Sequence, residues 1–469
     1  SRSTATASTR VVGATLWLGE NSDTSDDGGS VSNRRASSAG GVSEVNRPHT
    51  LATYRVGGLP SETIEGGPMS TTTSVTPHPD LGFAAFDADN HYYEAEDAFI
   101  RHIPADMASR CMQWAEIKGK RRLLVGGRVN RFIPNPTFDP VSKPGALDDY
   151  FRGRVSGEDM RKLFGELDPI SPAYRDRDAR LVTMDEQGVE AAMFFPTLAV
   201  GMEEALKHDV PALCAAFRAF NRWVDEDWGL HYQERIFGAP YITLADPNWA
   251  VEEADWAISR GARVVVMRTS PAPVAGGGTR SPGDPVFDPY WARLAEAGVS
   301  VAFHSGDAGY GRYIDDWEPT GEFEAFRQSP MRLMTSDRAP FDMFAVLVTH
   351  GVLSRHPKLR LASIEAGADW VPNLVKKFKK AYSAQPFQFA KDPVEQFREQ
   401  VWVAPFYEDD LRLLADTIGV ERLLFGSDFP HAEGLAVPTS FKNDLVGFSD
   451  AEIKMVMRDN GFAFLGTSS

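Results

Sequence analysis

Three side chains able to hold a metal ion stand at alternate positions in the run Phe86-Asp87-Ala88-Asp89-Asn90-His91-Tyr92. The apolar stretch Phe83-Ala84-Ala85-Phe86 before it reads as a short buried strand. In an extended chain alternate residues point to one side, so Asp89 and His91 can close on one ion, with Asp87 in the same file. Such a cluster after a strand is also ordinary turn chemistry. Three later apolar runs end in residues of the same kinds: 299–303 at His304, 359–364 at Glu365, and 422–425 at Gly426-Ser427-Asp428. Singly, His304 reads equally as a hydrogen-bonded core histidine and Asp428 as a turn residue before Phe429-Pro430. Together they form a mixed imidazole and carboxylate set, which suits zinc, manganese or iron better than calcium or a soft ion.

Convergence of these residues requires an architecture that gathers strand ends. From Phe83 onward the pattern alternates strand and helix. Strands are predicted at 83–86, 189–195, 236–244, 263–267, 299–303, 359–364, 401–404 and 422–425. Helices are predicted at 178–187, 203–232, 249–259, 289–297, 341–353, 370–382, 409–418 and 451–457. In the first of these helices Leu181, Val182 and Met184 are available for the inner face. Two long excursions interrupt the rhythm. The first, 94–174, is rich in Pro and Arg with one expected helix near 97–111; the second is 305–337. Eight strands alternating with helices predict an α/β fold, a single (β/α)8 barrel with long insertions after strands 1 and 5. A doubly wound open sheet has the same local pattern, but no glycine-rich phosphate loop follows an early strand. In a barrel the residues just past the strands' C-terminal ends share one cavity.

The totals narrow the function classes. A formal net charge of −16 argues against nucleic-acid and acidic-membrane partners and for an ordinary soluble protein, and the partner expected is a small-molecule substrate. No apolar run reaches the length of a membrane span, and the stretch 13–18 is too short and too polar-flanked for a signal segment. The 2 cysteines, Cys111 and Cys214, exclude a disulfide framework and a thiolate zinc site, and read as packing thiols in a reducing cytoplasm. Residues 1–80 are dominated by Ser, Thr, Gly and charged residues, so they are expected to be a disordered extension, with 81–469 as the barrel domain. Because the first methionine is Met69, translation is expected to start there, the upstream part being a gene-start error or fragment.

The motif order resembles the amidohydrolase superfamily, in particular its amidohydrolase-2 branch, which holds decarboxylases of the aminocarboxymuconate-semialdehyde and resorcylate types as well as lactonases. The resemblance runs from about Phe83 to the end. It rests on Phe86-Asp87-Ala88-Asp89-Asn90-His91, Ala179-Arg180-Leu181 with Met184-Asp185-Glu186-Gln187-Gly188, and Phe303-His304. It also uses Gly351-Val352-Leu353 with Arg355-His356-Pro357, Glu365-Ala366-Gly367-Ala368-Asp369-Trp370-Val371-Pro372, and Phe425-Gly426-Ser427-Asp428-Phe429-Pro430-His431.

The resemblance implies one divalent metal, zinc first with manganese or iron as alternatives, held by Asp89, His91, His304 and Asp428. The chain departs from the branch in carrying Asp89 where a His or Glu is usual and Glu365 where strand six usually offers a His. The implied catalytic pair is Asp428, taking a proton from an activated water and returning it to the leaving group, and Glu365, a second acid/base. Arg268, ending strand four, is a candidate clamp for a substrate carboxylate. His431 either reaches the substrate or orients Asp428. Tyr92, Phe406, Tyr407 and Trp317 are candidate pocket walls, while His350 and His356 read as structural. The first expectation is a hydrolase acting on an amide, ester or lactone; the alternative is a non-oxidative decarboxylase of an aromatic or unsaturated acid. By analogy a homodimer is expected.

Overall fold

The computed structural model describes residues 81–133, 135–154, 164–165, 167–318 and 330–467, so the expectation for residues 1–80 lies outside the described residues. Strand β1 (Ala85–Tyr92) is buried along its whole length. It runs parallel to β2 (Val189–Pro196), which in turn pairs in parallel with β3 (Ile236–Gly238). A second parallel sheet has the order β4 (Val264–Arg268), β5 (Ser300–His304), β6 (Leu361–Ile364), β7 (Val401–Val403). Every residue of β4 is buried, as in strands covered on both faces.

Single parallel bridges connect the two sheets. Tyr241, just past β3, pairs with Val266 of β4. Leu423 pairs with Val403 of β7, and Phe429 with Asn90 of β1. Parallel strands alternating with helices are the α/β arrangement of the TIM-barrel type. The strand expected at 422–425 is therefore present as bridges and not as a ladder. The Ser427 amide donates to Asp87 Oδ1 at 2.9 Å instead of to a neighbouring strand, and the Asp428 amide donates to the Asp89 carbonyl at 2.8 Å.

The intervening helices have readable boundaries. Helix α1 (Arg177–Gln187) starts at Asp176, whose side chain accepts from the Ala179 amide, and stops at Gly188 in the left-handed region. It buries Arg180, Leu181 and Met184, whereas Val182, expected inside, is 57% exposed. The helix expected over 203–232 is broken into Met202–Leu206 and α2 (Val210–Asp227), because Asp209 caps a new start with Pro211 in its first turn. Further helices α3 (Pro247–Ser259), α4 (Asp288–Ala297), α5 (Arg338–Thr349), α6 (Trp370–Ala384) and α7 (Leu411–Ile418) separate the later strands.

The first excursion differs from expectation. Residues 97–111 form successive turns, with the Ile100 amide on the Asp97 carbonyl at 3.0 Å and the Met107 amide on Pro104 at 2.9 Å. Pro104 has no amide to continue a helix. An antiparallel hairpin, Met112–Ile117 with Lys120–Val125, follows. The second excursion carries the short helices Gly311–Asp315 and Pro330–Met334; residues 319–329 lie outside the described residues. Among the described residues no helix is long and apolar enough to cross a membrane.

Candidate active site

The alternation expected of Asp87, Asp89 and His91 is broken by a register shift between Asp87 and Asn90. An irregularity of this kind re-aims side chains. Asp87 is consequently turned to a structural task. Its Oδ1 accepts from the amides of Ser427 and Asp89, at 2.9 and 3.1 Å, and its Oδ2 accepts from Asn90 Nδ2 at 2.9 Å and from the Ser427 hydroxyl. Burial raises the Asp87 carboxyl to about 6 against these hydrogen bonds. It thus ties β1 to the segment bearing Asp428.

Asp89 and His91 face inward, with His91 Nε2 3.2 Å from Asp89 Oδ1 and 3.5 Å from Asp428 Oδ1. His304, at the end of β5, places Nδ1 2.8 Å from the Ser305 carbonyl. A carbonyl only accepts, so Nδ1 holds a proton and Nε2 is the nitrogen turned to the cluster. That nitrogen is 3.4 Å from both Asp89 Oδ1 and Glu365 Oε2. Glu365 and Asp428 follow the ends of β6 and of the 423–425 segment with φ of 52° and 56°. Non-glycine residues in this region cost of order 1 kcal/mol each and concentrate at functional sites.

The carboxylate and imidazole atoms form overlapping groups, each within 4.8 Å: Asp89, His91, His304 and Glu365; His91, Asp428 and His431; Glu365, Asp428 and Glu433. Glu365 thus sits within ligand reach of three of the expected metal residues, and Asp428 joins them through His91 and Glu365. All of these residues are buried.

Their proton affinities are pulled apart by their surroundings. Burial opposes charge on Asp89, but the neighbouring His304 and His91 imidazoles hold it well below the usual carboxylate range. Burial and the neighbouring His431 push His91 down to about 3. Burial also lowers His304, but Asp89 and Glu365 outweigh it and raise the imidazole. For Glu365 burial and the negative charge of Asp428 act together, raising it well above its ordinary value.

The cluster fits a divalent cation on three observations. The donor set is hard oxygen with imidazole nitrogen. Both ring nitrogens of buried His91 lack a hydrogen-bond partner among the described residues, which in a buried polar group calls for an explanation such as an ion. A void of about 10 Å³ adjoins Asp89, Glu365 and Asp428, with Phe406 and Tyr407 in its wall.

Other expected site residues are placed differently. The Arg268 guanidinium is held by Glu204 and by the Asp307 carbonyl, the latter at 2.7 Å from Nε, and it lines neither the void nor the larger cleft described below. His431 has Nδ1 2.6 Å from Asp428 Oδ1 and Nε2 3.0 Å from Thr197 Oγ1. The Thr197 hydroxyl donates to the Tyr92 carbonyl at 2.8 Å. Tyr92 packs between Trp223 and Trp228 in the core, and Trp317 is 66% exposed. His350 and His356 meet Ser281 and Asp288.

Three contributors had no assigned role in the sequence reading: Thr197, Glu433 and Arg180. Arg180 is fully buried on α1; it donates to the His91 carbonyl at 2.9 Å, to the Ala173 carbonyl at 2.6 Å and to the Asn90 side chain. The signal for it was an arginine on the apolar face of an amphipathic helix. Nothing in the local pattern marks Glu433.

A separate cleft of about 490 Å³ is lined in part by Ser305 and Ala366, the residues after His304 and Glu365, and by no residue of the cluster itself. It is roofed by the two excursions and the segment after β2.

A family model described as amidohydrolase matches residues 168–467. The structure of an amidohydrolase from Mycobacterium avium subsp. paratuberculosis K-10 is 46% identical with a TM-score of 0.78, covering 82% of this chain and 98% of that one. More distant structures share the fold. A dihydroxybenzoic acid decarboxylase from Polaromonas sp. JS666, with bound manganese and 2-nitroresorcinol, is 15% identical with a TM-score of 0.53, covering 82% of this chain and 97% of the other. A 2,6-dihydroxybenzoate decarboxylase from Rhizobium is 18% identical with a TM-score of 0.50, covering 70% and 97% respectively. The chain therefore belongs to the amidohydrolase superfamily, in its amidohydrolase-2 branch.

Proposed function

We propose that this protein is a metal-dependent carboxy-lyase, a non-oxidative decarboxylase of an aromatic or unsaturated carboxylic acid, built on a (β/α)8 barrel. The observation that carries this reading is the surplus carboxyl of Glu365. Asp89, Asp428 and Glu365 crowd one buried cluster, and a divalent ion balances two negative charges. The third carboxyl then retains its proton, because like charges at this separation do not all ionise. Such an acid is what protonation at carbon requires, whereas in hydrolysis the proton taken from water can itself be passed to the leaving group, so a further protonated carboxyl is not needed.

Asp89, His91 and His304 would hold the ion, with Glu365 and Asp428 at its edge. A divalent ion there supplies electrophilic assistance to substrate oxygens. Manganese fits the oxygen-rich donor set as well as zinc does, and it is the ion bound in the Polaromonas enzyme of like fold. The carbon–carboxylate bond breaks with its electron pair remaining on the ring or alkene carbon. Glu365 delivers its proton to that carbon, CO₂ leaves, and solvent returns a proton to Glu365. His431, held by Thr197, keeps Asp428 oriented.

The first expectation, hydrolysis, is favoured by one feature, the 2.6 Å Asp428–His431 pair, which is suited to taking a proton from water. Product analysis separates the two readings. Manganese-loaded protein incubated with carboxyl-labelled hydroxybenzoic acids is expected to release labelled CO₂ without ¹⁸O entering the organic product. Uptake of ¹⁸O from water into amide, ester or lactone products, with no CO₂ from any acid tested, would establish the hydrolase instead.

A further inference from the structure

We infer that Glu94 is a positioning residue for the reaction: it fixes the loop after β2 so that Thr197 holds His431, and through it Asp428, in place. This rests on the decarboxylase reading for the reaction that is served. Glu94 lies two residues past β1, and in the pairing of β1 with β2 Tyr92 stands opposite Pro196. The residue is 1% exposed. Its Oε1 accepts three successive amides, those of Thr197, Leu198 and Ala199, at 3.1, 2.8 and 3.2 Å. Successive amides converging on one oxygen form a nest for an anion. The Arg175 guanidinium donates to the Glu94 backbone carbonyl, at 3.4 Å, and not to the carboxylate. Burying a carboxylate without a cation is costly, and an apolar side chain would fill the same space without that cost. What the carboxylate adds is a fixed position for the backbone of Thr197.

Thr197 joins three segments of the chain. Its hydroxyl donates to the Tyr92 carbonyl at 2.8 Å and lies 3.0 Å from His431 Nε2. A hydroxyl has one proton, and a carbonyl only accepts. Toward His431 the Thr197 oxygen is therefore the acceptor, and Nε2 carries a proton. The opposite edge of the ring, Nδ1, is 2.6 Å from Asp428 Oδ1, and that oxygen is 3.5 Å from His91 Nε2 in the carboxylate–imidazole cluster. The imidazole is thus gripped at both nitrogens, and the grip at Nε2 is only as firm as the backbone that carries Thr197. Thr197, His431 and Asp428 are all buried, so a lost contact there is not made good by bulk water. A displacement of about 1 Å passed along such a line costs on the order of 100-fold in rate.

A double-mutant cycle on the manganese-loaded enzyme tests this, with Glu94→Met, Thr197→Val and the pair together. Each single variant is expected to lower kcat at least about tenfold while KM stays within about threefold of the parent. Glu94→Gln, which keeps an accepting oxygen, is expected to stay within about threefold of the parent in kcat, and Glu94→Asp, whose acceptor is drawn back, to fall between. The double variant is expected to match Thr197→Val within about threefold, whereas independent effects would multiply. A second readout uses metal-free protein. Long-range ¹H–¹⁵N spectra, with the His431 ring assigned by its loss in His431→Gln, are expected to show Nε2 protonated in the parent and in Glu94→Gln. In Glu94→Met the ring nitrogens are expected to shift as they do in Thr197→Val. Melting temperature checks that each variant is folded, and Glu94→Asp carries the cycle where Glu94→Met does not fold. A folded Glu94 variant without an accepting oxygen that keeps parental kcat and His431 shifts, or losses that multiply in the double variant, would overturn the inference. The expected His431 response in a parent that releases no CO₂ from any acid tested would overturn the functional reading instead and leave the placement of His431 by Glu94 standing.

Discussion

Replacing Arg180 with Met removes a buried brace beneath the metal cluster while preserving most of the side chain's volume. The guanidinium is enclosed by the rings of Tyr174, Phe194, Trp228 and Phe429 at 5.3–5.8 Å. Burial lowers it to about 10, so it is still a cation at neutral pH. It donates to two backbone carbonyls and to Asn90, Asn90 donates to Asp87, and Asp87 accepts from Ser427 next to Asp428. The chain of bonds therefore links the Asp89/His91 strand to the Asp428 segment.

Each acceptor orphaned by Arg180→Met costs about 1–3 kcal/mol, and relief from burying the cation returns part of that sum, for a net loss of about 2–4 kcal/mol. Metal affinity is expected to fall about 10- to 100-fold, as it does when groups supporting ligands are removed. Urea unfolding of chelator-stripped protein measures the first effect, and competition with a chelating dye for Mn²⁺ measures the second. Loss of stability with metal affinity within about twofold of the parent would show that the brace supports the core and positions no ligand.

Further predictions follow from individual contacts. Gly426→Ala would place a methyl 2.5 Å from Asp89 Cβ; overpacking of this kind costs about 1–3 kcal/mol, and both melting temperature and metal content are expected to drop. His304→Ala is expected to reduce bound metal from near one equivalent to background by elemental analysis, and a variant still fully loaded would remove His304 from the site. Glu94 is raised by burial from 4.5 to about 7, although Oε1 accepts the amides of Thr197, Leu198 and Ala199. Because the folded value is the higher one, its stabilising contribution is full below 4.5 and is lost as pH rises to about 7, a change of about 3 kcal/mol. Glu94→Gln keeps the accepting oxygen without titrating, so its urea midpoint is expected to be flatter than the parent's between pH 5 and 8, and parallel curves would contradict this.

Much of the architecture was legible in local pattern. Continuous apolar runs such as Val264–Met267 mark strands buried on both faces, whereas Asp209 with Pro211, which splits the helix expected over 203–232, went unread. The apolar runs act over a few residues, so they survive without knowledge of partners. The residue types Asp89, His91, His304, Glu365 and Asp428 at strand ends were legible for the same reason, and the structure brings them into overlapping clusters. What tertiary structure decided was orientation and partnership. A register shift against β2 accompanies the turn of Asp87 away from the carboxylate–imidazole cluster and toward Ser427, 340 residues on. Glu204, 64 residues before Arg268, claimed the guanidinium expected to clamp substrate. Pro104 left residues 97–111 in turns whose hydrogen bonds a periodicity argument does not count. In each case the outcome depended on which polar group reached a buried partner first in space. Burial makes an unmet charge or hydrogen bond costly, and that cost is set by neighbours the local sequence does not contain.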